Sequence, residues 1–430
     1  MNGKHSFGIW ALVALVVGNA VGAGIYTTSG FSLAALGSRE WVMLAWFVAG
    51  LIALCGALSY GMLVQGITES GGEYLYLSRS IHPLAGFIAG WVSLLAGFPG
   101  AIAFSASAFE TYSVSALPNL GRVPTDFLAV AVIVLAGLIH SVRVKSGVKT
   151  HEVIVALMMV VLVIVILWSG SQFLIFETLP TADPKPLAKF SLLAFANTLV
   201  WISLSYSGFN AAAYIAGEVR DAKRVVPKGM VIGTLVTIVL CLAVNGIMLY
   251  GADPAVIVGQ ADIAARSANA IAGSSGQKII ELVIAISLLT SITAMVLAGP
   301  RVYAKMADDG ALPKIFKARE GSPPRMSIAL QVVTAIALVL IADLRGLLSY
   351  LGFTLSLCLA LAVSSLLVGR VKPHSLWYPM APIVFVLSTV VFAILSAINE
   401  PTQFYAGAIT VLVGAAAYFF NRKKVSYEKA

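Results

Sequence analysis

The sequence predicts an all-α membrane protein with twelve transmembrane helices, and three observations carry that reading. Of the 430 residues, 59% are hydrophobic and only 11% charged, where a soluble domain has about a quarter charged. The mean hydropathy is +0.93. The apolar residues gather in runs of about 20, the length a helix needs to cross a bilayer and about twice that of a barrel strand.

The runs are 7–35, 41–66, 83–113, 124–142, 149–170, 190–218, 228–250, 278–306, 326–343, 345–369, 376–397 and 402–421. Pro83, Pro124 and Pro227 stand at or near the starts of their runs, where a missing N–H costs least. The first run is too long for a signal peptide's apolar region and is read as a retained span. Cys55, Cys241 and Cys358 all fall in apolar segments and read as packed thiols rather than disulfides.

Orientation follows from the 28 Lys and Arg, none of which lies mid-span. With the N-terminus inside, 21 fall in the inner segments and seven in the outer ones. This bias places both termini in the cytoplasm of a plasma (inner) membrane protein. It also accounts for the net charge of +9 as topology signals facing anionic lipid, so no nucleic-acid partner is expected. The outer loop at about 251–277 is expected to hold a short helix. The inner loop 307–325 is the other sizeable one.

Run 1 carries a weak point, Gly18-Asn19-Ala20-Val21-Gly22-Ala23-Gly24-Ile25. Non-helical backbone at membrane depth is tolerated only where it is buried in protein or lines a cavity. Gly22-Ala23-Gly24 lets a ligand approach the main chain closely. An outer half-helix starting near Gly24 would aim free N–H groups and a positive dipole end at the membrane centre, which suits a carboxylate. Gly18 and Gly22, four apart, also read as a helix-packing face. Run 6 is interrupted in turn at Tyr206-Ser207-Gly208-Phe209-Asn210. Its first half ends in free carbonyls that suit an ammonium group. Interrupted helices at matching places of two inverted halves point to a transporter's central site. Together they predict a bound zwitterion.

Around these breaks, Tyr26, Trp201, Tyr206 and Phe209 are candidate pocket aromatics, and Asn210 offers both a donor and an acceptor. Glu110, toward the outer end of run 3, is a candidate gate or cation contact, because ionisable residues in spans are costly. Asp126, His140 and Glu281 read as interfacial. No acid sits clearly at the midplane, which favours a neutral substrate. In run 8, Ser287, Thr290 and Ser291 share a helix face. With the freed carbonyls of run 1 they form a possible sodium site.

Six segments, in order, resemble the amino acid–polyamine–organocation permeases over nearly the whole chain. They are Gly22 to Tyr26; Cys55 to Tyr60 running on to Ser70-Gly71-Gly72-Glu73-Tyr74-Leu75-Tyr76; Gly86-Phe87 to Gly90-Trp91; Tyr206 to Asn210; Gly217-Glu218 to Pro227; and Leu297-Ala298-Gly299-Pro300-Arg301 to Pro313. The resemblance is nearest to the bacterial L-type and basic-neutral amino acid transporters.

The resemblance implies a five-plus-five inverted repeat with discontinuous helices 1 and 6: residues 1–171, residues 190–370, two peripheral helices over 376–421, and a cytoplasmic tail, 422–430. It implies alternating access around a site between spans 1, 3, 6, 8 and 10. The substrate carboxylate then falls to Gly22, Ala23 and Gly24, and the amino group to carbonyls around Ala20, Val21 and Tyr206. Asn210 stands where arginine/agmatine antiporters have an acid, and Leu204 stands at the aromatic gate position. Two departures matter. The family's span 5 Lys position is Met158, and Gly61-Met62 replaces a Glu after Tyr60. Gly18 and Val21 with Thr290 and Ser291 are similar to the second sodium site of neurotransmitter–sodium symporters.

The expected function is therefore secondary transport of neutral amino acids, as symporter or exchanger, with no cofactor and with sodium or protons as the possible coupling ion. The alternative is a carrier of amines, polyamines or cationic amino acids using Glu110 as counter-ion. No metal-ligand spacing, nucleophile–base motif or phosphate loop points to an enzyme.

Overall fold

The computed structural model describes residues 7–117, 122–142, 189–317, 324–368 and 375–421, with 160, 163 and 171 between them. Every regular element among them is a helix. Run 149–170 lies outside the described residues save 160 and 163, and so do Met158 and the tail 422–430.

Among the described residues, nine spans meet the length and hydropathy needed to cross a bilayer when the bent pair is taken as one, and Phe127–Ser141 and Arg325–Ile341 are shorter apolar helices. These eleven coincide with the predicted runs other than 149–170, and they are called by those numbers below. The protein is an integral multi-pass membrane protein. Its apolar exposure agrees with this: Leu135, Val239, Leu282, Val333, Leu387 and Leu412 all face outward, an arrangement that only lipid makes favourable.

Span 1 is two helices, Ile9–Ala20 and Ala23–Leu36, bent by 41°. Val21 and Gly22 leave helical geometry between them. Span 3 runs Pro83–Ala116 but relaxes into a π turn at Ser93–Gly97. Span 6 is α-helical over Leu192–Tyr206 and continues as a 3-10 helix over Ser207–Glu218. Runs of 3-10 helix longer than three or four residues are uncommon and mark strain or a hinge, so span 6 changes pitch where an open break was expected.

Two loops are structured. Between spans 2 and 3 lies a helix, Gly72–Ser80, entered at Gly71 with φ 156°. Arg79 clamps Glu69 just before it with two bonds of 2.5 and 2.7 Å. This holds the Glu69 carboxyl below its usual range. The loop before span 8 carries Pro254–Ile257 and then the helix Ile263–Asp308, which breaks at Gly273 (φ 65°) before entering the span.

The bundle centres on spans 1 and 6. The first half of span 1 packs on span 7 and on the 3-10 segment, the second half packs on the α part of span 6, and spans 2 and 7 and spans 3 and 8 pair along their lengths. Among the eight helices long enough to cross unaided, spans 11 and 12 are the least enclosed, with 33% and 22% of their apolar windows buried. Span 11 is nonetheless packed on spans 2, 6 and 10, with Phe385 ring-to-edge on Phe209 at 5.8 Å.

Candidate functional site

The helix break is built by sequence. At Val21 the N–H still donates to Val17, but the N–H of Gly22 turns back to Ala20 at 3.0 Å. The carbonyls of Gly18 and Asn19 thereby lose their helical donors, and Ala23, Gly24 and Ile25 begin a new helix whose first N–H groups have no partner within it. All three of those residues are buried.

Span 6 closes on this turn through two glycines. A Cβ on Gly208 would lie 2.5 Å from the N of Ala20, and one on Gly24 would lie 2.3 Å from Ser205 Oγ. The Cα of Gly24 is therefore packed against span 6 in this conformation. Only Gly22 has room: its nearest neighbour would be Ser291 Oγ at 3.6 Å.

A cavity of about 210 Å³ lies next to the break; span 1 lines it through Leu15 and Asn19, and none of Ala20, Val21, Gly22, Ala23, Gly24 and Ile25 is in its lining. Call the side bearing most Lys and Arg the basic face. The cavity extends from the break toward it, reaching Arg301, whose guanidinium is 3.8 Å from Glu218. Its walls come from spans 1, 3, 6, 8 and 10 and from the Gly72–Ser80 helix. Both non-α segments contribute, the π turn through Ser93 and Gly97 and the 3-10 helix through Ser207, Gly208 and Asn210. Leu204 and Asn19 also line it.

On the opposite side the described residues close over the break. Tyr112 donates to the carbonyl of Tyr26 at 2.7 Å. Trp46 donates to Ser29 at 2.8 Å, and Ser29 to Asn245 at 2.5 Å, tying spans 2, 1 and 7 together. The loop before span 8 seats on span 1, with Gly259 N–H donating to Gly30 O at 2.8 Å.

Several aromatic expectations change. Tyr206 donates to the carbonyl of Trp46, and Phe209 packs edge-on against Tyr60. Both rings are buried against span 2, and neither lines the cavity. Trp201 donates to Ser349 at 2.7 Å under the Arg345 guanidinium and braces span 6 on span 10. Tyr26 is buried with its hydroxyl unbonded. None of the four lines the cavity.

Glu110 also stands elsewhere. Its two oxygens accept from the N–H groups of Asp126 (2.7 Å) and Ala129 (2.9 Å). It caps span 4, whose entry turns at Asp126 with φ 68°, and it does not line the cavity. Glu281, expected at the interface, is buried, with Ser115 and Gln277 donating to one oxygen.

The proposed ion ligands divide. Ser291 faces Gly22 and lies 3.4 Å from Ser105, and Ser287 is buried beside the Tyr26 hydroxyl. Thr290 bonds back to the carbonyl of Ile286. No cluster of three His, Cys, Asp or Glu exists among the described residues.

One cavity residue is not singled out by the sequence. Glu73, 4% exposed, lines the cavity. It accepts from Tyr60 (2.6 Å), Asn210 (2.8 Å) and Tyr214 (2.5 Å). It stands in the loop helix Gly72–Ser80, where an acidic residue is ordinary by composition.

Comparison with known proteins agrees with a transporter. The chain is 24% identical to the serine/threonine exchanger SteT of Bacillus subtilis, covering 98% of each chain. It is 24% identical to the b(0,+)-type amino acid transporter 1 of Mus musculus, over 97% of this chain and 88% of the other. It is likewise 24% identical to the large neutral amino acids transporter small subunit 2 of Oryctolagus cuniculus, over 97% and 80%. These relatives are transporters, not enzymes. A sequence model of the amino acid permease family matches residues 7–421, and the chain belongs to that family.

Proposed function

We propose that the protein carries neutral, zwitterionic amino acids across the plasma (inner) membrane by alternating access, with its basic face and both termini in the cytoplasm. In this reading it has twelve spans in two inverted halves of five, over residues 1–171 and 190–370. The observation that carries it is the break at Val21–Gly22, which sets a helix N-terminus at Ala23 against the 3-10 start of span 6 beside an amino-acid-sized cavity. The carboxylate goes to the Gly22–Gly24 turn, and the cavity as drawn is the cytoplasm-facing state.

Exchange without sodium is the mode favoured here. The support is that a relative bears the name of an exchanger; Thr290, which donates to its own helix, keeps its lone pairs and does not decide the question of sodium. The amine-carrier reading loses its counter-ion, because both oxygens of Glu110 are taken by span 4.

The test is a thermal-shift screen of the purified protein over the twenty L-amino acids and their decarboxylated amines, in sodium and in choline buffers. Ligands that bind the folded state raise its stability by mass action. Stabilisation by neutral amino acids, equal in both buffers and absent with the amines, is expected. Stabilisation by amines alone would overturn the carboxylate assignment, and stabilisation that needs sodium would overturn the exchange mode.

A further inference from the structure

Glu73 is the only acidic side chain among the described residues that lines the cavity. It enters from the loop helix Gly72–Ser80 rather than from a span, and it meets span 2 through Tyr60 and span 6 through Asn210 and Tyr214. The donors are all neutral. A carboxylate only accepts hydrogen bonds, whereas an amide has a donating and an accepting end of nearly the same shape. The pairing therefore decides which end of Asn210 points where. The NH₂ is held on Glu73, and the carbonyl Oδ1 is left for the cavity.

Two other polar groups there are set the same way. Asn19 donates its Nδ2 to the carbonyl of Leu15 at 2.8 Å, which leaves its Oδ1. Ser207 gives its proton to the carbonyl of Leu204 at 2.7 Å, which leaves its lone pairs. Asn19 ends the first half of span 1, and Ser207 and Asn210 begin the 3-10 part of span 6. Acceptors from both sides of the break thus face one space.

We infer that Glu73 is a positioning residue: by fixing the Asn210 amide it completes a set of neutral acceptors that selects for a substrate ammonium group. The inference rests on the reading that an amino acid occupies this cavity. It deepens that reading by assigning ammonium recognition to side chains of the cavity as well as to main-chain carbonyls at the break. An acceptor without net charge also explains how a site can hold an ammonium without preferring cationic substrates, since the negative charge sits one residue back, shared among three donors.

The experiment uses the full-length protein in proteoliposomes. The probe is the radiolabelled L-amino acid that stabilises the wild type most in a panel of twenty. Glu73→Gln places a second amide against Asn210 and removes the constraint on its orientation. Its KM is expected to rise about tenfold while kcat stays within about threefold. Asn210→Asp sets two carboxylates together and is expected to lose uptake. The double variant E73Q/N210D rebuilds the pair with the roles exchanged, an amide at position 73 donating to a carboxylate at position 210, and is expected to restore KM to within about threefold. It should also admit lysine as a competitor, because the acceptor facing the cavity is now charged.

A merely structural Glu73 predicts parallel losses of KM and kcat and no rescue in the double variant, and that result overturns the inference. Asn210→Ala separates the two levels. If it raises KM while Glu73→Gln behaves as wild type, the positioning role falls alone. If neither variant moves KM, or no amino acid stabilises the wild type, the cavity reading falls with it.

Discussion

Gly208 and Ala20 meet main chain to main chain: a Cβ on Gly208 would stand 2.5 Å from the Ala20 nitrogen and 2.8 Å from the carbonyl carbon of Asn19. The two irregular segments of the bundle touch there without an intervening side chain. Small residues let transmembrane backbones approach in this way. Any motion of the first half of span 1 must therefore carry the 3-10 part of span 6 or part from it.

Gly208→Ala is accordingly predicted to be among the most damaging single methyl additions. The clash is with backbone, which cannot rotate aside. Overpacking a tight site costs about 1–3 kcal/mol, and uptake should fall below about a tenth of wild type, in line with about 1.4 kcal/mol per tenfold. A purified Gly208→Ala variant with wild-type melting and wild-type uptake would show that the contact is not held through the cycle.

Gly22→Ala isolates the carboxylate site from packing. At φ −131° and ψ −159° an alanine is unstrained, and its methyl would meet only Ser291 Oγ at an ordinary 3.6 Å. The apparent Tm should stay within about 2 °C of wild type. KM should nevertheless rise about tenfold, because the methyl occupies the space through which a carboxylate reaches the N–H groups of Ala23 and Gly24. Gly24→Val cannot make this distinction, since any Cβ at Gly24 strikes Ser205. Unchanged KM in a stable Gly22→Ala protein would remove the carboxylate from this turn.

How much could be read from the chain depended on the range of the interaction. The break at Val21–Gly22 was visible because its cause is local: two glycines and an alanine leave a helix nothing to lose by opening. The membrane class was visible because it is compositional. The direction of the Tyr206 and Phe209 rings was not, because it is set by partners on span 2, Trp46 and Tyr60, that lie far away in the chain. The bonding of Glu110 was not legible for a similar reason, since the amides it caps belong to another span. Glu73 was hidden twice, first by lying in a loop and then because its partners Tyr60, Asn210 and Tyr214 are 13, 137 and 141 residues away.

Glu110→Gln is predicted to separate stability from transport. The amide keeps one acceptor but turns its NH₂ toward a backbone N–H, so one of two charge-assisted bonds is lost. Such bonds contribute about 1.5–3 kcal/mol, and the apparent Tm should drop by several degrees. Substrate KM, measured in proteoliposomes, should remain within about twofold of wild type. A KM rise of tenfold or more without a change in Tm would return Glu110 to the transport path.

Gly30→Ala tests the closure on the side opposite the basic face. A Cβ at Gly30 would lie 1.9 Å from the carbonyl oxygen of Gln260 and 2.9 Å from its carbon, so the loop over 254–262 cannot stay seated on span 1. Nothing comparable constrains Gly30 when that loop is lifted. The substitution therefore penalises the closed arrangement more than an open one and shifts the population by that difference. Ser287, buried beneath the closure at 1% exposure, serves as reporter when changed to Cys with Cys55, Cys241 and Cys358 replaced. A membrane-impermeant maleimide applied from the side opposite the basic face should label it at least about tenfold faster in the Gly30→Ala background, equivalent to about 1.4 kcal/mol of shift. Equal labelling rates would mean that the seated loop does not gate access to the break.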